Sequence, residues 1–491
     1  MVTSTRFAGY PSAVVYQNPN GTKPIQHLIW GDWLRLKEGR NGDYCEVHAR
    51  GMDGWMHKDN IQTERLLEIV FVDIGQGDGC LLVTPDDKHI VIDAGVGDNM
   101  ARFLNWRYGG FDNPWEFEIG IISHPDADHY GGFDLIFDEP NVKFKTFFHN
   151  GIVERTGKNR LGPKTTSGRP SYLTDIIHTT DDIRQFLSVP ERWQRREYPT
   201  MLHKGLTNGK FSEFKMLSND DKYVPGYGPN NDLTMEVLGP IVEFDNNKPR
   251  LRWFGNVGKT KNGHSIVLRV KYHNTSLLLG GDLNIPAENF LLNYHTGLDA
   301  NPRSVEEYKT LVEAARNIFQ VDIAKSCHHG SSDFSDIYLD VTNPIATVIS
   351  SGDNEPYSHP RADALGTIGL HSRGTRPLIF STELARSTKE YIKHPHVFRK
   401  SLDELHKQID NAPENTAKDR RKKASLEKQR SKLLKKIERS VAVYGAIHVR
   451  TDGYKAIVAQ KYEQPRSKSK KWDIYCLEPL GNGSLYYKSK H

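Results

Sequence analysis

Ile119-Gly-Ile-Ile-Ser123-His124-Pro-Asp126-Ala-Asp128-His129-Tyr-Gly-Gly132 decides the reading of this chain. The apolar run predicts a buried strand, and the residues after it place His124, Asp126, Asp128 and His129 within six positions. A continuing strand would send alternate side chains to opposite faces, whereas a loop leaving the strand can turn all four heads toward one point. Imidazoles and carboxylates together suit a divalent ion of zinc or manganese type. The plainer alternative is a solvated turn of ordinary turn residues. Against it stands the rest of the chain, which supplies further ligand-type residues in order.

Those residues are Val72-Asp73-Ile-Gly-Gln-Gly-Asp78, Val91-Ile-Asp93-Ala-Gly95, Leu277-Leu-Leu-Gly-Gly-Asp282, Cys327-His328-His329-Gly330-Ser-Ser332, and Gly352-Asp-Asn354 followed by His359-Pro360. Taken in sequence with the loop at His124, they resemble the metallo-β-lactamase superfamily over about residues 66 to 380, with Asp126 where most members carry a second His. Within it they are similar to the soluble hydrolase domain of ComEC-type DNA-uptake proteins. The resemblance implies an α/β fold, the αβ/βα four-layer sandwich, with an active site holding two divalent ions, Zn or Mn.

On that resemblance His124 and Asp126 hold one ion, and Asp128 and His129 the other together with His328 or His329. Asp282 bridges the pair, and a hydroxide shared between the ions is the expected nucleophile. The hard oxygen of Asp126 leans the expectation toward manganese or an exchangeable site. Asp128, His329 and His359 carry the catalytic roles, His359 as proton donor to the leaving oxygen. His264 lies where the superfamily places a third-motif His and reads either as a ligand or as a residue facing substrate. Asn262 matches the ComEC-like branch at that place, and His149 is a weaker substitute ligand. Asp93 supports the metal loop through hydrogen bonds, Asp78 lines the pocket, and Asn354 belongs to the substrate side. Cys327 reads as a soft ligand or as a small buried residue ending a strand.

A chain of 491 residues exceeds what one core usually organises. Residues 1–65 alternate short β-rich runs with Asn-Pro-Asn-Gly and Gly-Arg-Asn-Gly-Asp turns and resemble a bacterial SH3-like barrel, with docking to a protein partner expected. Residues 66–395 form the hydrolase domain, with a polar insertion at 149–227. Residues 396–440 predict a helical hairpin, and 441–491 return as strands to the catalytic sheet. From Lys418 to Arg439 eleven Lys or Arg stand against Asp419, Glu427 and Glu438, a net of +8, while the whole chain is +5. The excess is therefore local, the remainder being −3, and points to contact with a phosphate backbone, DNA first.

Four cysteines lie far apart, which excludes a Cys-x-x-Cys zinc knuckle and a disulfide framework and predicts a reduced, cytoplasmic setting. No run approaches the roughly 18 to 20 apolar residues of a membrane span, so a role as the membrane channel itself is not expected. The leading expectation is a metal-dependent nuclease or phosphodiesterase acting on DNA. The alternatives are a small-molecule phosphodiester hydrolase, or an interaction protein working through its barrel and hairpin.

Overall fold

Two β-sheets stacked face to face organise the centre of the molecule. The computed structural model describes residues 5–165, 170–352, 357–382, 395–437 and 445–490. The first sheet has ten strands in the order Phe211–Met216, Val142–His149, Trp115–Ile121, His89–Ala94, Gly79–Val83, Leu67–Phe71, Ile447–Thr451, Ala456–Lys461, Trp472–Pro479 and Leu485–Tyr487. The second has six: Leu233–Gly239, Val267–Tyr272, Thr275–Leu279, Ile323–Lys325, Ala346–Ile349 and Leu378–Ser381.

Period-two alternation explains how both faces of a sheet are used. Ile69 and Phe71 join Leu82, Ile90, Ile121, Leu268, Leu277 and Val348 in the core between the sheets. Val70, Leu81 and Val91 point the other way, onto the helices Asn99–Arg107, Ala127–Ile136 and Glu197–Thr207. On the far side Val267, Leu278 and Ala324 pack beneath Ile285–Thr296, Val305–Phe319 and Asp336–Thr342. Helices thus cover both outer faces, in the αβ/βα layering expected. Among the described residues no helix is long and apolar enough to cross a membrane.

The N-terminal strands form one antiparallel sheet of seven, in the order Pro24–Ile29, Ser12–Tyr16, Met52–His57, Tyr44–Ala49, Trp33–Asn41, Thr5–Ala8, Ile61–Gln62. It has its own small core of Val15, Leu28, Leu34, Val47 and Met56. The barrel expected from the turn chemistry is not closed, since its two outermost strands do not pair with each other among the described residues. Instead the sheet leans on the ten-stranded one, where Ile29 and Trp30 pack with Ile457, Ala459 and Trp472.

The stretch from 149 to 227 is more ordered than its polarity suggests. Helices Thr180–Leu187 and Glu197–Thr207 bury Ile183, Phe186, Tyr198, Met201 and Leu202, and Phe211–Met216 becomes the edge strand of the main sheet. The basic segment is a pair of helices, Pro395–Asp410 and Ala417–Ile437, that bury Leu402 and Ile437 against Trp106. Of the C-terminal stretch, Ile447–Thr451 pairs antiparallel with Leu67–Phe71. Residues 441–444 fall outside the described ones.

Candidate metal centre

The loop from His124 to His129 leaves the strand Trp115–Ile121 and turns into the helix Ala127–Ile136, with Asp126 at the helix N-cap position. Loop and helix entry together direct side chains that a straight strand would have separated. Gly77 makes the turn possible from the opposite wall. It sits at φ +101°, and a Cβ there would lie 1.8 Å from the backbone oxygen of Asp128, so only glycine lets the two backbones approach.

Asp93 organises the loop from within. Its backbone lies at φ +55°, a conformation uncommon for a residue with a side chain. Its carboxylate accepts from Ser123 N and Ser123 Oγ, each at 2.7 Å, and from His129 Nδ1 at 2.8 Å. With Nδ1–H held there, His129 presents Nε2 to Asp282 Oδ2 at 3.3 Å. This is the carboxylate–histidine pairing that fixes tautomer and ring orientation in metal sites.

His329 reaches the same point from the second sheet. It follows the strand Ile323–Lys325, and both His328 and His329 have left-handed backbones, φ +50° and +54°. Nδ1 of His329 donates to the Ser350 carbonyl at 3.1 Å, leaving Nε2 at 3.2 Å from Asp282 Oδ2 and 3.6 Å from Asp128 Oδ2. The neighbouring histidines therefore divide, His329 facing the carboxylates and His328 turned toward His359 with ring centroids 5.8 Å apart. His124 completes the set, its Nε2 3.9 Å from Asp282 Oδ2 and 3.6 Å from Asp126 Oδ2.

Buried atoms without partners test whether these residues fit a metal. Nε2 of His124, His129 and His329 and Oδ1 of Asp282 are all buried and lack a hydrogen-bond partner. Buried polar atoms are almost always paired, so three orphaned imidazole nitrogens around a carboxylate that itself keeps one orphaned oxygen form a place that could hold cations. His124, His129 and Asp282 form one group of metal-ligand spacing, and Asp128, His129 and His329 another. The donor set of imidazole and carboxylate suits zinc or manganese.

Charge in the centre is balanced by two lysines that the motif reading did not anticipate. Lys325, fully buried, pairs with Asp78, lies 3.8 Å from Asp282 Oδ1 and donates to the Gly281 carbonyl at 2.9 Å. Lys261 pairs with Asp126 and sits 3.3 Å from both the Pro125 carbonyl and Glu154 Oε1. Burial pushes the Asp126 carboxyl up, but His124 and Lys261 outweigh it and hold the group well below the usual range. Burial likewise opposes the charge of His329, yet Asp282 and Asp78 raise it to about 10. His129 is raised well above its ordinary value in the same way, by Asp282 and Asp93 against burial. A Lys ending an apolar strand three residues before a His pair is the signal that could have found Lys325.

Three expected ligands are placed elsewhere. His264 is buried with Nε2 2.6 Å from the Arg252 carbonyl, and it joins no ligand-spaced group among the described residues. His149 puts Nε2 3.0 Å from the Ile177 carbonyl, and burial lowers it to about 3. His328 belongs to none of those groups either. Asn262, with its amide nitrogen turned inward, donates to Gly258 O at 3.0 Å and to Asp126 Oδ2 at 2.9 Å. Asn354 falls outside the described residues.

Residues 79–145 match the metallo-beta-lactamase superfamily. The matched stretch holds Asp93 and the whole loop from His124 to His129, while Asp282 and His329 lie beyond it and join by geometry alone. No curated protein matches the chain. The superfamily consists mostly of metal-dependent hydrolases, and the orphaned histidine nitrogens accord with that chemistry.

Proposed function

We propose that this protein is a metal-dependent phosphodiesterase that cleaves nucleic acid, DNA first, at a centre of two divalent ions. The observation that carries the reading is the convergence of His124, His129 and His329 Nε2 on Asp282 Oδ2, at 3.9, 3.3 and 3.2 Å. His124, Asp126 and Asp282 would hold one ion, and Asp128, His129 and His329 the other, with Asp282 shared. When bound, such ions polarise the scissile centre and acidify water.

The chain's own residues do the rest. Asp93 and Ser350 fix the histidine tautomers, so that each Nε2 is free to ligate. Lys261 orients Asp126 through the outer carboxylate oxygen, Oδ1, leaving Oδ2 toward His124. His328 and His359, packed edge to face with ring centroids 5.8 Å apart, would return a proton to the leaving oxygen. A phosphodiester is favoured over an uncharged substrate by the basic helix Ala417–Ile437, whose cations suit a polyanion rather than a neutral ligand.

The test is purified protein with manganese, zinc or EDTA on labelled linear and circular DNA, with bis-p-nitrophenyl phosphate alongside. Metal-dependent DNA cleavage that disappears in Asp128→Ala/His129→Ala supports the reading. Turnover of the small diester with DNA left intact would move the assignment to a small-molecule phosphodiesterase. Inactivity on both would refute it.

A further inference from the structure

Away from the metal centre, three parts of the chain meet around a groove of about 780 Å³. Its walls come from the strand Pro24–Ile29 of the N-terminal sheet, the helix Ala417–Ile437, and the turn joining Ala456–Lys461 to Trp472–Pro479. The turn is tied down rather than loose. Lys471 donates from its backbone to His27 Nδ1 at 3.0 Å and from Nζ to Gln26 Oε1 at 2.7 Å.

Five cations line the groove, Lys436, Lys461, Arg466, Lys468 and Lys471, against Glu463 as the one acid. Lys436, Arg466 and Lys468 are exposed, and no carboxylate of a described residue lies within ion-pairing distance of them. Tyr462 is 43% exposed at the same rim. His27, beneath the turn, is lowered to about 4, first by burial and then by Lys471 and Arg50, so it adds no charge near neutrality. Cations left without counter-ions repel one another, and an anionic ligand relieves that repulsion.

We infer that this groove binds the backbone of a single nucleic-acid strand. A recessed basic channel with an exposed aromatic ring is the combination that holds single strands, phosphates on cations and a base against the ring. A duplex is broad and rigid, whereas a strand can enter a groove walled on three sides. The inference deepens the nucleic-acid reading and locates the contact at the seam of three modules rather than along the helix alone.

The experiment measures binding of a labelled oligothymidylate and its blunt duplex to full-length protein carrying Asp128→Asn to suppress turnover. The strand is expected to bind more tightly than the duplex. Adding Lys436→Glu, Arg466→Glu and Lys468→Glu should weaken strand binding at least about tenfold. It should also lower the salt slope by about 2, since each single-strand phosphate contact contributes about 0.7. The alanine versions should shift both quantities in the same direction by less, which guards against a folding defect. In the chain with Asp128 intact, the three changes should leave bis-p-nitrophenyl phosphate turnover within about twofold. Unchanged strand affinity in the charge-reversed protein, equal binding of the duplex through the same residues, or binding only to phosphatidylserine vesicles would each overturn the inference. Strand binding through the groove without hydrolysis of any diester would keep the groove and remove the nuclease reading.

Discussion

Among the described residues two places bring His and Asp together at metal-ligand spacing, and they differ in what surrounds the nitrogen atoms. At Asp282 three histidine Nε2 atoms are buried and unpartnered. At the contact between the N-terminal sheet and the helix Pro395–Asp410, His48, Asp53 and His406 form a group of similar spacing. There none of the three side chains has a buried atom that lacks a hydrogen-bond partner. His48 Nδ1 lies 2.7 Å from Asp53 Oδ1, His406 Nε2 3.3 Å from Asp53 Oδ2, Lys37 donates to Asp53 at 2.7 Å, and Arg430 faces His406 Nδ1 at 3.5 Å. Burial pushes Asp53 up, but His406, His48 and Lys37 together hold it far below the usual carboxylate range. The first cluster could hold cations, and the second is a satisfied hydrogen-bond network joining two modules. Spacing alone does not separate them, whereas unsatisfied buried atoms do.

The sharpest way to break the comparison is Asp128→Ala with His129→Ala, which should return metal-dependent diester turnover to background and lower bound metal by at least one equivalent per chain. Retention of full metal content by this variant would move the centre elsewhere. Next in size is pH. Asp282 and its neighbours hold His129 and His329 protonated well above the ordinary imidazole range when no metal is present. A metal must displace those protons, so affinity should rise with pH from 6 to 9 by up to about tenfold per pH unit for each proton released. Zinc titration in weak buffer should show the released protons directly. Flat affinity across that range would contradict the charge arrangement described.

Asp93→Asn should lower metal affinity by about 10- to 100-fold, because His129 loses the acceptor that fixes its tautomer. Equilibrium dialysis on the refolded variant would measure it, and unchanged affinity would demote Asp93 to a turn residue. The smallest effect is expected at the finished network. His406→Ala should leave bound metal unchanged and cost at most about 1 kcal/mol in urea unfolding, as for a part-exposed ion pair. Loss of a metal equivalent there would erase the distinction between the two clusters.

Much of this architecture was legible because its periodicities are strong. The alternation of Ile69, Phe71 and Val70 and the apolar run before Ser123 marked sheet and loop, and the order of the acidic and histidine motifs marked the centre. The direction of a ring is not written in spacing. His264 sits at a plausible ligand distance from Asp282 in sequence, yet it follows the short helix Val257–Gly263, and its Nε2 is taken by the Arg252 carbonyl. Lys325 and Lys261 escaped notice because a buried ammonium beside metal-type residues makes sense only once its carboxylates are placed around it. The stretch from 149 to 227 misled through its average polarity, although Ile183, Phe186 and Leu187 already carried a helical face. In the N-terminal sheet the strands were readable from turn chemistry, but their pairing order depends on contacts no local pattern records.

The strand Leu67–Phe71 pairs on one side with Gly79–Val83 and on the other with Ile447–Thr451. Every ligand-type residue, from His124 to His329, is therefore translated before the strand that closes this edge. Until about 120 further residues leave the ribosome, the growing chain carries a half-built sheet with an open apolar margin, the kind of edge that recruits stray strands. A cell making this protein thus acquires the complete ten-stranded sheet only late in its synthesis, and a chain released before Ile447 would expose that margin and be prone to aggregate.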